Sequence, residues 1–147
     1  EVAIFRSVCR YPGLVGTAVE GNFDHASDHE LFERARPLVA ETLRAPVQEA
    51  VTRYRTILER GRISDNFLTI LPASHRGQVD TLLLEASAQK RGRFDPQTSR
   101  LELTANGQGE DLLELAAVYT LQNSGTVHTL AAEEMPDRTA TAAILRY

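Results

Sequence analysis

The alternation of hydrophobic and polar residues is clearest in the second half of the chain. Residues 79–84 form a compact apolar run, which is typical of a buried strand in a parallel sheet. Residues 111–121 have helical spacing, an acidic first turn and a stop signal at residues 123–125. Residues 126–130 are predicted to form the next strand. Two strands joined by a helix in this order require parallel pairing through a right-handed connection.

The first half of the chain has mainly helical spacing. Apolar residues predict a short helix over residues 2–11, which Pro12 and Gly13 would stop. Residues 14–19 are predicted to form a β strand. A helix should then run from about residue 28 to 44, because Ser27 lies three residues before Glu30, the spacing of a reciprocal helix cap.

Helical spacing resumes beyond Pro46 and includes Leu58, until Gly61 ends it. Since proline fits the first turn of a helix but not its interior, Pro46 should interrupt or restart the helix. The prediction is a long, kinked helical arm. Ser64 and Asp65 can cap another short helix, which should end near Pro72.

Glycine, proline and polar residues over 86–109 predict a hairpin or an irregular excursion, and residues 141–147 can supply a terminal strand. We therefore expect one α/β domain over residues 1–147, a three-layer α/β/α sandwich with a mostly parallel central sheet. Its strands and crossover helix should bury six apolar side chains: Leu82, Leu84, Leu115, Val118, Val127 and Ile144.

The composition of the chain indicates its cellular compartment and argues against nucleic acid as a general partner. The chain has 147 residues, a single cysteine and no apolar run long enough to span a bilayer, which predicts a cytoplasmic domain without disulfides. Its first residue is glutamate rather than methionine, so we expect the chain to be a piece of a longer protein. A formal charge of −4 gives no general attraction to phosphate backbones.

One segment concentrates groups that can bind a metal. Asp24, His25, Asp28, His29 and Glu30 combine carboxylates and imidazoles. A helix that starts after Ser27 leaves His25 outside it, so the two histidines lose a fixed helical spacing. We favour a solvated helix start whose acids complement the helix dipole over a metal centre or an enzyme site.

Other candidate groups have no recognisable partner at a diagnostic spacing. His75 and His128 are predicted to be ordinary, partly exposed residues, and Cys9 a small core side chain. Gly107-Gln108-Gly109 lacks the further glycine of a dinucleotide-binding loop. No catalytic, cofactor-binding or metal-binding residue is therefore assigned. Acidic neighbours dilute a group of arginines that could otherwise form an RNA-binding patch: Arg53, Arg55, Arg60, Arg62 and Arg76.

The order of several segments resembles the third domain of the archaeo-eukaryotic peptide chain release factors and Pelota. The resemblance is carried by residues 77–84, 112–119, 125–130 and 142–147. The last of these looks like the terminal signature of that domain, so the resemblance implies that the chain is the C-terminal domain of a longer protein. Members of the bacterial branch of this family also have segments similar to four others: Arg10-Tyr11-Pro12, Glu20-Gly21-Asn22, Gly92-Arg93-Phe94-Asp95-Pro96 and Glu133-Glu134-Met135-Pro136.

This resemblance implies the fold shared with ribosomal proteins that bind kink-turn RNA. In the family, release activity belongs to a Gly-Gly-Gln loop of the preceding domain, and no such tripeptide occurs here. The resemblance therefore implies a non-catalytic domain that docks a protein partner, such as a translational GTPase or a ribosomal component. Direct binding of ribosomal RNA through the same fold is the alternative, and an enzyme built on Asp24–Glu30 is a weaker third.

Overall fold

A computed structural model describes residues 2–57, 61–104 and 107–147. The chain forms two compact units, Glu1–Gln48 and Glu49–Tyr147. In the described part of the chain, no helix is both long enough and apolar enough to cross a membrane.

The first unit contains a short helix and most of a long one. Helix α1 spans Val2–Val8 and ends before the predicted stop at Pro12. The strand predicted over residues 14–19 is wrong, because this segment is irregular and pairs with no described strand. A strand needs a neighbour to satisfy its backbone groups, and local composition did not reveal that none is present.

Helix α2 spans Asp28–Ile57. The amide of Glu30 donates to the Ser27 hydroxyl at 3.3 Å, as predicted, but the Glu30 carboxylate pairs with Arg34 at 2.8 Å. Only half of the reciprocal cap is therefore formed.

Two prolines, Pro37 and Pro46, lie inside α2, and the helix continues through both. The predicted interruption or restart at Pro46 is therefore wrong. The helical spacing was predicted to continue as far as Gly61. Leu58, which belongs to this predicted part of the helix, lies outside the described residues.

The main sheet of the second unit has the strand order β1-β7-β2-β6. Strand β2 (Val79–Glu85) pairs in parallel with β6 (Thr126–Leu130), which confirms the predicted pair. Strand β7 (Thr141–Leu145) runs antiparallel to β2, and β1 (Ile63–Ser64) runs antiparallel to β7. Only one of these pairings is parallel.

The predicted sandwich with a mostly parallel central sheet is therefore wrong. After β6 the chain turns back over residues 131–140, which contain only a 3₁₀ turn at Pro136–Arg138. Since a parallel connection needs a crossover, usually a helix, this short segment returns the chain antiparallel beside β2. The architecture is mixed α/β with antiparallel-rich sheets.

Two helices pack on the sheet. Helix α3 spans Phe67–His75 and α4 spans Leu112–Gln122. Helix α3 begins after Asn66, whose side chain caps it, and continues past the predicted stop at Pro72. Helix α4 begins where the sequence predicts and, as predicted, comes after β2 and before β6 in the chain. The Asp111 side chain caps its first turn.

The predicted core is confirmed in part. Leu82, Leu84 and Ile144 are buried, whereas Leu115 and Val127 are partly buried against the core. Val118 is exposed, so its prediction is wrong. It lies four residues after the exposed Glu114, on the face of α4 that points away from the core.

The excursion after β2 forms the predicted hairpin. Strands β3 (Arg91–Asp95), β4 (Arg100–Leu103) and β5 (Glu110–Asp111) make a small antiparallel sheet in the order β4-β3-β5. A Cβ added to Gly92 would lie 2.3 Å from the Glu102 carbonyl oxygen, so glycine permits the close approach of β3 and β4. Residues 105–106 of the predicted excursion lie outside the described residues.

Candidate docking groove

A groove of about 360 Å³ lies in the second unit, where several segments from distant parts of the sequence meet. It is bounded by the start of α3, the connection between β2 and β3, the end of β4 and the entry to β7. We call it the α3 groove. Its lining consists of Asp65, Asn66, Phe67, Leu68, Lys90, Leu103, Thr139, Ala140 and Thr141.

Two exposed leucines form its apolar walls. Leu68 points outward because its neighbours Phe67 and Ile70 fill the buried side of α3, and 55% of its surface is exposed. Leu103 lies at the end of β4 and is 53% exposed. Leu101, on the same side of this strand, packs against the core instead. The α3 groove therefore presents apolar surface that this part of the fold does not use.

One cation, Lys90, and one carboxylate, Asp65, line the groove. The Lys90 ammonium lies 5.7 Å from the centroid of the Phe67 ring, within the range of a cation–π contact. Lys90 is the only lysine of the chain, and it pairs with no carboxylate in the described residues. Asp65, two residues before the start of α3, supplies the opposite charge.

The start of α3 satisfies its amides locally. The Asn66 side chain accepts from the Leu68 amide at 3.0 Å, and the Asn66 carbonyl accepts from the amides of Thr69 and Ile70. These amides are not free to hold a phosphate. The α3 groove thus combines apolar walls with charges of both signs, a chemistry suited to a protein surface.

The metal-binding candidates are placed at the start of α2. Asp24 and His25 lie in a turn, whereas Asp28, His29 and Glu30 lie in the first helical turn. Glu30 is engaged with Arg34. Among the described residues, no three histidine, cysteine or carboxylate side chains are grouped to hold a metal ion.

His75 ends α3 and is half-buried. Its ring packs edge-on against Phe94 and Tyr119, with centroids 5.8 Å and 4.9 Å away. The buried Nδ1 atom has no hydrogen-bond partner in the described residues. His75 therefore packs where α3, β3 and α4 meet.

His128 lies on β6, where burial lowers its pKa below the ordinary value. Cys9 follows α1 and is half-buried, and Gly107-Gln108-Gly109 precedes β5.

The five arginines of the candidate RNA-binding patch make different contacts. Arg53 pairs with Asp80 at 2.6 Å, and Arg76 donates to the Gln78 side chain at 3.1 Å. Arg55 and Arg62 are exposed, and Arg60 lies outside the described residues. The paired members are less available to bind phosphates than the sequence alone suggested.

Sequence reasoning did not find the α3 groove. Its residues run from Asp65 to Thr141, so no local spacing connects them. The one local signal is Lys90, a single lysine among many arginines, which is weak by itself.

The first unit has a separate, mainly apolar hollow of about 400 Å³ between α1 and residues 14–18. Its lining includes Val2, Phe5 and Leu14, all exposed.

Comparisons with known proteins found a matching family model and a solved structure of similar fold. The family model described as Bacterial archaeo-eukaryotic release factor family 3 matches residues 1–78, more than half of the chain. The fold is similar to a solved structure described as the C-terminal domain of Peptide Chain Release Factor from Methanosarcina mazei, with a TM-score of 0.58. The two sequences are 15% identical, and the match covers 84% of this chain and 97% of that chain. No curated protein sequence matches.

Proposed function

Since the chain belongs to the bacterial archaeo-eukaryotic release factor family 3, we propose that it is a non-catalytic domain that docks a protein partner in translation. The partner would be a translational GTPase or a ribosomal component. The α3 groove is the observation that carries this proposal, and Leu68 and Leu103 are its anchors.

The composition of the groove supports a protein partner. Interfaces bury apolar side chains at their centre and keep polar groups at their rim. Leu68 and Leu103 can supply such a centre, while Lys90 and Asp65 can select a partner through opposite charges. A groove of this size would form only part of an interface, so neighbouring surface of the second unit must contribute as well.

The charge distribution favours protein over RNA as the partner. An RNA site gains most of its affinity from lysine and arginine that neutralise phosphates. Here the net charge is −4, and Arg53 and Arg76 are engaged by neighbouring side chains. RNA binding therefore remains an outcome of the test.

Binding of the purified chain to bacterial ribosomes and to purified translational GTPases tests the proposal. We expect Leu68→Asp to weaken the interaction by at least about tenfold, because it replaces an apolar wall of the groove with a carboxylate that the partner would have to desolvate. An aspartate in the first turn of α3 also suits the helix dipole, so the fold should persist. Circular dichroism checks this point.

The control is Leu121→Asp on α4, and circular dichroism must check its fold as well, because a carboxylate in the last turn of a helix opposes the helix dipole. Leu121 is 59% exposed, close to the value for Leu68, but it does not line the groove. It should leave binding unchanged. Equal losses from both variants, or binding that only nuclease treatment abolishes, would refute docking through the α3 groove. Hydrolysis of peptidyl-tRNA by the purified chain would refute the non-catalytic role.

A further inference from the structure

Strand β6 is an edge of the main sheet. It pairs with β2 on one side, and no described strand pairs with its other side. The Leu130 carbonyl accepts from the Ala86 amide at 2.8 Å, so the backbone groups of Leu130 point toward β2. Because backbone groups alternate along a strand, the N–H and C=O groups of Val127 and Thr129 project from the free edge.

This edge lacks the features that usually prevent strand pairing. Edge strands are commonly protected by charged side chains, proline or a bulge. Strand β4, at an edge of the small sheet, has such protection in the exposed side chains of Arg100 and Glu102. Strand β6 has the sequence Thr-Val-His-Thr-Leu, without an acidic residue, lysine, arginine or proline, and its pairing with β2 is regular.

We propose that β6 pairs antiparallel with β6 of a second copy of this chain, joining the two main sheets across a twofold axis at His128. In this register Val127 of each copy faces Thr129 of the other, and each such pair exchanges both of its backbone hydrogen bonds. The Val127–Thr129 pairs are uncharged. His128 faces His128 of the second copy, and burial lowers the pKa of this imidazole, which favours the neutral ring over two like charges. This inference is independent of the α3 groove.

The size of the contact sets the strength of the dimer. Five residues per strand bury less area than a stable interface requires, so the association should be weak and dependent on concentration.

Sedimentation equilibrium and amide exchange test the proposal together. Over about a hundredfold range of concentration we expect a reversible monomer–dimer equilibrium. The amides of Val127 and Thr129 should become protected from exchange as concentration rises. The His128 amide, which points toward β2, should be protected at every concentration.

Thr129→Pro removes an outward N–H group without removing a bond to β2, so an edge strand should tolerate it. We expect it to weaken dimerisation by at least about tenfold. Thr129→Val keeps the N–H group and the β-branched shape, and should leave dimerisation unchanged.

A monomer at all concentrations would overturn the proposal. So would a dimer of undiminished strength in the folded Thr129→Pro variant, or protection that grows outside β6 and its flanks. If Thr129→Pro does not fold, the exchange rates of Val127 and Thr129 in the parent chain still decide the question.

Discussion

The ionisation of the Tyr54 phenol affects the stability of the second unit. Tyr54 lies near the end of α2 with 1% of its surface exposed. Burial raises its pKa to about 12, and the carboxylates of Asp137 and Asp65 act in the same direction. The folded state therefore favours the neutral phenol more strongly than the unfolded state does.

The direction of the pH dependence follows from this shift. A raised pKa contributes stability that is fully present below the unfolded value of 10.0 and is lost as pH rises through about 12. We expect the free energy of unfolding to fall over this window, and Tyr54→Phe to reduce that fall. Urea unfolding at several alkaline pH values measures it. Tyr147, which is 76% exposed, provides the control. A Tyr147→Phe variant with the same effect as Tyr54→Phe would contradict the explanation.

At the scale of elements, prediction succeeded where the signal is local. Strand β2 and helix α4 have their own hydrophobic patterns and stop signals, and both lie where the sequence placed them. Prediction failed where distant contacts decide the outcome. Residues 14–19 have strand composition but no partner, and the direction of β7 depends on the connection that precedes it. Neither a missing partner nor a strand direction can be read from local spacing.

Gly92 allows strand β3 to pack closely against β4 and α4. A Cβ at this position would lie 2.3 Å from the Glu102 carbonyl and 2.7 Å from the Leu112 side chain. Gly92→Ala should therefore force β3 away from β4 and α4, and lower the free energy of unfolding by about 1 to 3 kcal/mol. Gly16→Ala is the control, because nothing lies within 4 Å of its added Cβ. Urea unfolding compares them, and equal stabilities would contradict the predicted clash.

At the scale of the molecule, the candidate site could not be predicted because it is a product of the fold. The α3 groove joins residues 65–68, Lys90, Leu103 and residues 139–141. No one of these segments indicates a site by itself, and they meet only in the folded second unit. The sequence did supply the family, because the order of many weak segments is more specific than any one of them.

The charge of the whole chain leads to the last prediction, which concerns RNA. The net charge of −4 gives no general attraction to phosphates, and Arg53, one of the five arginines of the candidate patch, already pairs with Asp80. We expect structured RNA to bind no more tightly than about 10 µM at roughly 200 mM salt. A site that contacts six or more phosphates would instead lose about a thousandfold in affinity between roughly 50 and 200 mM salt. Titration of a labelled RNA hairpin at both salt levels measures this dependence. Tight, salt-sensitive binding that Arg55→Glu or Arg62→Glu weakens would make RNA the ligand and would displace protein docking as the function of this domain.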